Sequence, residues 1–391
     1  MKRESELRNN LKQVRTRLGL SQQDLADAAG VTRQTIGAVE SGLYAPSATV
    51  AIRLARVLGC PVESLFWLED GRPEVEATPA EGFPAGASVR LAMARIGGRW
   101  VAHPLAGEQA FRTELIPADG EGRLEPNVGG GSVHAHLLDE PENVAKTVVL
   151  AGCTPALSLW ARAAERWHPG LRVHWVFANS RAALRHVERG EVHGGGMHLF
   201  DPETGEYNLP FVRRWLPGRP VVLVNLGVWE EGLLVRPGNP LAIRTAADLA
   251  RPGVRIVNRE AGAGSRHLLE RTLQQEGVDP ATVAGFDRVV GDHVAVAAAV
   301  AAGQADAGVS AASIAAAFGL GFVPLQQVRY DMVFPKEYLA EAPVQQLIGS
   351  LGHRWVRSQL EALGGYDTSR TGEVVAEVGA AGPENTAALP T

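Results

Sequence analysis

Between Leu7 and Leu68 apolar residues return every three or four positions, and the runs are broken at short intervals by Gly, Ser or Thr. A bundle of short helices reconciles that spacing with that punctuation. Leu7, Leu11, Val14 and Leu18 mark a first helix, closed by Gly19. Ser21 caps a second, Asp24 complements its N-terminus, and Leu25 and Ala28 face inward. Gly30 ends that helix and turns the chain, Val31 fills the angle, and Thr32 caps a third helix that runs to Ser41-Gly42. A fourth, Ser47 to Leu58, turns Val50, Leu54 and Val57 inward, and a fifth, Val62 to Leu68, closes the bundle through Leu65 and Phe66. The second and third helices with their glycine turn form a helix-turn-helix, and the domain is expected over residues 1–68.

Charge supports the same division. The 391-residue chain carries a formal net charge of -5, yet between Met1 and Cys60 nine Lys or Arg stand against five Asp or Glu. That segment is locally basic, as phosphate binding requires. The run from Leu20 to Phe66, LSQQDLADAAGVTRQTIGAVESGLYAPSATVAIRLARVLGCPVESLF, resembles the phage-repressor-like Cro and XRE family over essentially its whole length. The resemblance implies that the third helix enters the major groove of an operator. Arg33 and Gln34 then read base edges, since a guanidinium fork suits guanine and an amide suits adenine. Thr32, Thr35 and Ala38 share their face, and Gln22 is the expected phosphate clamp. Domains of this kind bind inverted half-sites as dimers, so a homodimer on double-stranded DNA is expected.

Residues 69–87, acidic and rich in Pro, Gly and Ala, read as a linker. A small β segment comes next over 88–145, with a hairpin about Gly97-Gly98 and a loop-rich remainder containing Gly129-Gly130-Gly131. It either packs onto the domain C-terminal to it or mediates dimer contacts. From Lys146 strands alternate with helices, the sign of a parallel α/β sheet. A buried strand runs into Gly152-Cys153-Thr154-Pro155 and a helix, RVHWVF and VHGGGMHL come next as strands, and VRIVNREAGAGSRHLLERTL repeats the strand, glycine loop and helix, with Ser265 as the cap. Such loops present helix N–H groups at the carboxyl ends of strands, where α/β sheets take anions.

The pieces GCTPAL, GGGMHL with Tyr207-Asn208, VNREAGAGSR, AVAAGQADAG and VRYDMVF resemble the type II periplasmic-binding-protein superfamily, particularly its intracellular branch found with regulators and molybdopterin-related proteins, over about Lys146 to Leu363. The expected architecture is thus an all-α helix-turn-helix bundle, a small β element, and a bilobed α/β domain over 146–375 with a flexible tail over 376–391. The resemblance implies a small anion in the cleft, molybdate or tungstate favoured, with no covalent cofactor. Cys153, Thr154, Ser158, His198, Asn258, Arg259, Gly264, Ser265, Arg266 and His293 are its expected neighbours. The branch commonly carries an acid where Thr154 stands, which leaves the ligand open. Hydroxyls suit a tetrahedral oxyanion, whereas Arg259 and Arg266 suit a larger phosphorylated ligand, or else pair with Glu260 and Glu270.

Two cysteines in separate segments, Cys60 and Cys153, exclude a disulfide framework and a multi-cysteine metal site, and the histidine spacings predict no metal. Cys153 in its loop is either a small buried residue or a redox-active thiol. No GxSxG elbow is present, so an enzyme is not expected. The charged N-terminus and the lack of a long apolar run predict a cytoplasmic protein with no membrane partner. These features predict a regulator whose ligand alters operator binding. The alternatives are a sensor of a pterin-type or phosphorylated metabolite, or a molybdenum-cofactor assembly protein with accessory DNA binding.

Overall fold

The structure, a computed structural model, describes residues 7–68, 73–84, 88–110, 115–125 and 131–379. It divides into two compact units, residues 1–72 and 73–391. In the first, the helices Gln22–Ala29, Arg33–Glu40 and Ala48–Leu58 stand where the caps place them, after an uncapped first helix Leu11–Arg17. Ser21 and Asp24 form a full reciprocal capping box, and Thr32 and Ser47 accept from Thr35 N and Val50 N. Gly30 ends its helix at φ 66°, a left-handed turn that glycine adopts without a Cβ penalty.

The ends of this unit differ from expectation. Leu7–Asn9 is a strand paired antiparallel with Phe66–Leu68, so the first helix begins only at Leu11 and the expected fifth helix is a single 3-10 turn, Val62–Ser64. The β-prone run Phe66-Trp67-Leu68 pairs with the N-terminal strand in preference to extending a marginal turn. Leu18 is exposed because its helix stops at Arg17, and Ala28 faces solvent while Ala26 and Ala29 join Leu25, Ile36 and Leu54 in the core.

The second unit opens with a closed five-stranded barrel in the order Glu74–Pro79, Arg99–Pro104, Ser88–Ile96, Gly120–Glu125, Ser132–Leu137. Glu74–Pro79 lies in the stretch expected to be linker, so the linker is shorter and the β element larger than the sequence suggests. Gly97 and Gly98, at φ 56° and 79°, make the expected hairpin turn. A Cβ on Gly122 would meet His134 O at 2.6 Å, so this strand carries glycine where neighbours approach closely, and its hydrophobic alternation is lost. The barrel packs onto the α/β domain: Ala94, Ile96 and Val101 share one buried core with Val148 and Leu150, and His103 Nε2 lies 2.8 Å from Glu191 O. Gly129 and Gly130 of the expected loop lie outside the described residues.

The remainder is bilobed. Its main sheet runs Ala307–Ala311, Val221–Val235, Gly321–Pro335, Gly194–Met197, Thr147–Gly152, Arg172–Phe177. Pairing is parallel among the last three strands and antiparallel through the two 15-residue central ones, so the sheet is mixed. Those two long strands pair over their whole length. One end packs Leu223, Met332 and Phe334 into the first lobe's core, the other packs Leu233, Val235 and Val323 into the second's. The pairing shifts register between Glu231 and Gly232, and a Cβ on Gly232 would lie 2.1 Å from Val323 O. The bulge therefore falls near the change of lobe. Val374–Val378 pairs with Val221–Val235, so residues 376–378 of the expected tail belong to the sheet; residues 380–391 lie outside the described residues.

Candidate functional site

On the N-terminal unit, Arg33 and Gln34 open the helix Arg33–Glu40 and are exposed. Neither side chain is tied to another among the described residues. They line a shallow groove with Gln22, Gly37, Ala38, Ser41 and Leu43. Thr32 and Thr35 are engaged with each other, Oγ1 to Oγ1 at 2.9 Å, which fixes the first turn of this helix. Gln22 Nε2 donates to Glu40 Oε2 at 2.8 Å, and Arg15 grips the same carboxylate at 2.6 and 3.2 Å. Glu40 thus ties the first, second and third helices together. One amide N–H of Gln22 is left for a phosphate. Leu43, 85% exposed, was missed in the sequence because it comes after the helix rather than lying on it.

The second site lies where the two lobes meet. Cys153 and Thr154 follow the buried strand Thr147–Gly152, and His198 follows Gly194–Met197. His293 is the first residue of the helix His293–Ala301 in the second lobe, and Glu231 comes from the long central strand. All five are buried, Glu231 completely. Cys153 Sγ is 3.9 Å from His198 Nδ1, and His198 Nε2 is 3.2 Å from Glu231 Oε1. Ser265 Oγ donates to the same carboxylate oxygen at 3.2 Å. His293 Nε2 stands 4.0 Å from it, with Nδ1 3.0 Å from Ser310 Oγ.

The electrostatics result from this packing. Burial alone would raise the Cys153 thiol, but His198 and His293 outweigh it and bring it down to about 6. Burial would lower His198, yet Glu231 and Cys153 lift it to about 10. Burial likewise opposes ionisation of Glu231, which His198, His293 and Arg259 hold down at about 2. Each shift arises because groups of opposite charge tendency face one another out of contact with water.

Glycines make the approach possible. A Cβ on Gly264 would lie 2.4 Å from the His198 ring, and one on Gly196 would lie 2.2 Å from the Tyr330 hydroxyl. That hydroxyl accepts from Cys153 N at 3.4 Å. Gly196→Ala is expected to destabilise the second unit by about 1–3 kcal/mol through overpacking. Denaturant unfolding measures this, and an unchanged midpoint would mean that Tyr330 can move aside.

The expected ligand residues are thus only partly assembled. Cys153, His198, His293, Ser265 and Gly264 come together. Ser265 is not the helix cap, since the helix Gly264–Gln275 is preceded by Ala263 and has no side-chain cap; its hydroxyl serves Glu231 instead. Arg259 is buried and pairs with Glu260 at 2.8 and 2.9 Å, leaving Nη1 without a hydrogen bond among the described residues. Arg266 pairs with Glu270 at 2.8 Å and donates to Arg259 O. Asn258 is occupied by Phe286 O and Arg259 N, and Thr154 by Ala156 N and the Tyr366 hydroxyl. Ser158 is half-buried in the first turn of its helix, with no hydrogen bond to the cluster among the described residues. Glu231, Tyr330 and Ser310 were missed. Glu231 lies in VVLVNLGVWEEGLLV, where two adjacent acids inside an apolar strand were the available signal.

A helix-turn-helix family model matches residues 11–65, and a PBP superfamily domain model matches residues 161–352. YvgK of Bacillus subtilis is 40% identical over 203 residues, covering 51% of this chain, and the chain spans 65% of that relative's length. The HTH-type transcriptional regulator YgzD of Bacillus subtilis is 41% identical over 64 residues, 16% of this chain and 97% of YgzD. An HTH-type transcriptional regulator of Methanothermobacter thermautotrophicus is 49% identical over 67 residues, 17% of this chain and 97% of its own. Among solved structures, a putative phosphate ABC transporter substrate-binding protein from Clostridium perfringens aligns at TM-score 0.44 and 13% identity, over 56% of this chain and 99% of that one. Among the described residues no helix is long and apolar enough to cross a membrane. With a matched helix-turn-helix, near-complete coverage of such regulators and a second domain of the PBP superfamily, the chain belongs to the XRE-type helix-turn-helix transcriptional regulators.

Proposed function

We propose that the chain is a cytoplasmic, dimeric one-component regulator rather than an enzyme, and that a small ligand held between its lobes changes its affinity for operator DNA. The observation that carries this reading is the set of buried polar atoms between the lobes that lack hydrogen-bond partners among the described residues: His293 Nε2, Glu231 Oε2 and Arg259 Nη1. Unpartnered buried groups cost about 1–3 kcal/mol each, so a site that retains several is built for something that completes them. A ligand touching both lobes favours the closed arrangement, and operator affinity responds to the extent that the two arrangements bind DNA differently.

For molybdate or tungstate, the Ser265 hydroxyl, the N-terminus of the helix Gly264–Gln275 and Arg259 Nη1 are favourable. Glu231, ionised beside Ser265, is not. A phosphorylated ligand has less support, because Arg266 is occupied by Glu270. Calorimetric titration of the full chain with molybdate, tungstate, sulfate and phosphate tests the oxyanion: heat with the first two alone supports it, and silence with all four removes it.

A further inference from the structure

Cys153, His198 and His293 each offer a ligand atom, all are buried, and those atoms lie within 4.8 Å of one another. We infer that this trio holds a borderline divalent transition-metal ion, with Zn²⁺ as the type case, and that the ion is the ligand through which the lobes are joined. The inference rests on the regulator reading above and names the ligand class for it. Thiolate and imidazole are the donors such ions prefer over the hard oxygens that suit Mg²⁺ or Ca²⁺.

Hydrogen bonding around the two rings selects their lone pairs. Ser310 Oγ lies 3.0 Å from His293 Nδ1 and 3.3 Å from His293 O, so a proton given to the carbonyl lets the hydroxyl accept from Nδ1. That tautomer leaves the lone pair of Nε2, buried with no hydrogen-bond partner among the described residues, for an ion. His198 turns Nε2 towards the Glu231 carboxylate at 3.2 Å and Nδ1 towards Cys153 Sγ. A carboxylate facing the outer nitrogen and a hydroxyl facing the other ring's outer nitrogen are the supports that orient metal-binding histidines. On loading, the ion replaces the proton between Cys153 Sγ and His198 Nδ1, and that proton leaves to solvent. Three protein ligands leave one coordination position open for water or a further ligand.

The trio spans the lobes. Cys153 and His198 belong to the first, His293 to the second. Tetrahedral zinc holds neighbouring sulfur and nitrogen donors about 3.5 Å apart. Coordination therefore draws His293 and its helix towards the first lobe, and Gly264 keeps the space beside His198 open for that approach.

The test uses the full chain after removal of adventitious metal by a chelator. Titration with Co²⁺ is expected to produce a thiolate-to-cobalt charge-transfer band that saturates at one equivalent and is displaced by Zn²⁺. Cys60, half-buried in the N-terminal unit, provides the control: Cys60→Ser keeps the band and Cys153→Ser loses it. His293→Gln weakens Co²⁺ binding at least about tenfold, and Glu231→Gln, acting through His198, weakens it by about 10–100-fold. Circular dichroism verifies folding, and should Cys153→Ser not fold, His293→Gln carries the comparison. A wild-type chain with no band and no retained Zn²⁺ overturns the inference, as does a band that survives in Cys153→Ser. Operator affinity measured on the same samples separates the two readings. Co²⁺ uptake with unchanged operator affinity upholds the metal site and removes its regulatory role. No uptake, with operator binding shifted by molybdate or tungstate, removes the metal site and leaves the regulator.

Discussion

Alanine at both Arg33 and Gln34 is expected to reduce the preference for operator over scrambled DNA by roughly 30-fold to 10⁴-fold, since each bidentate side chain-to-base contact contributes about 1–3 kcal/mol of discrimination. Both residues stand exposed at the start of the helix Arg33–Glu40, with no side-chain partner among the described residues, while the turn beneath them is fixed by Thr32 and Thr35. The substitutions therefore remove readers without unfolding the bundle. Gln22→Ala makes the control: as the expected phosphate clamp, held by Glu40, it is expected to weaken both DNAs alike. Fluorescence anisotropy with the promoter DNA upstream of the chain's own gene measures the ratio. A ratio unchanged in the double variant would place base reading elsewhere, with Leu43 the next residue to examine.

The second large effect is on the interlobe site. Glu231→Ala is expected to destabilise the second unit by about 3–5 kcal/mol, because it leaves His198 and Ser265 buried without the carboxylate they share. For a unit of this size that lowers the thermal midpoint by on the order of 10 °C. Glu231→Gln keeps an acceptor for Ser265 and costs less. Calorimetry on the full chain distinguishes them. If the alanine variant melts within about 2 °C of wild type, the carboxylate is not the centre of the site.

How far the sequence reveals this molecule depends on the range of the interactions involved. Helix caps are local, so Ser21, Thr32, Ser47 and Gly30 announced the N-terminal bundle, and the glycine pair Gly97-Gly98 announced its hairpin. Strand pairing across the chain is not local. Leu7–Asn9 reads as the start of a helix until Phe66–Leu68 is beside it, and Glu74–Pro79 reads as linker until the barrel closes around it. The same holds in the site. Cys153, His198, Ser265 and His293 were found through their loops and helix starts. Arg259 and Arg266 also drew attention, and there the carboxylates beside them, Glu260 and Glu270, account for most of the charge. Glu231 was missed although its strand carries two adjacent acids and Gly232 at the bulge; neither local signal shows that this point falls between the lobes.

If the interlobe site controls the helix Arg33–Glu40, ligand must change operator affinity. Operator affinity of the full chain is therefore measured without added ligand and then with Zn²⁺, molybdate or tungstate. A change of about 5–150-fold is expected with at least one of these, the span of ordinary coupling free energies. In His293→Gln a response to Zn²⁺ is expected to need at least about tenfold more of the ion. Identical operator affinity under all four conditions, in a chain that binds its operator, would contradict the account.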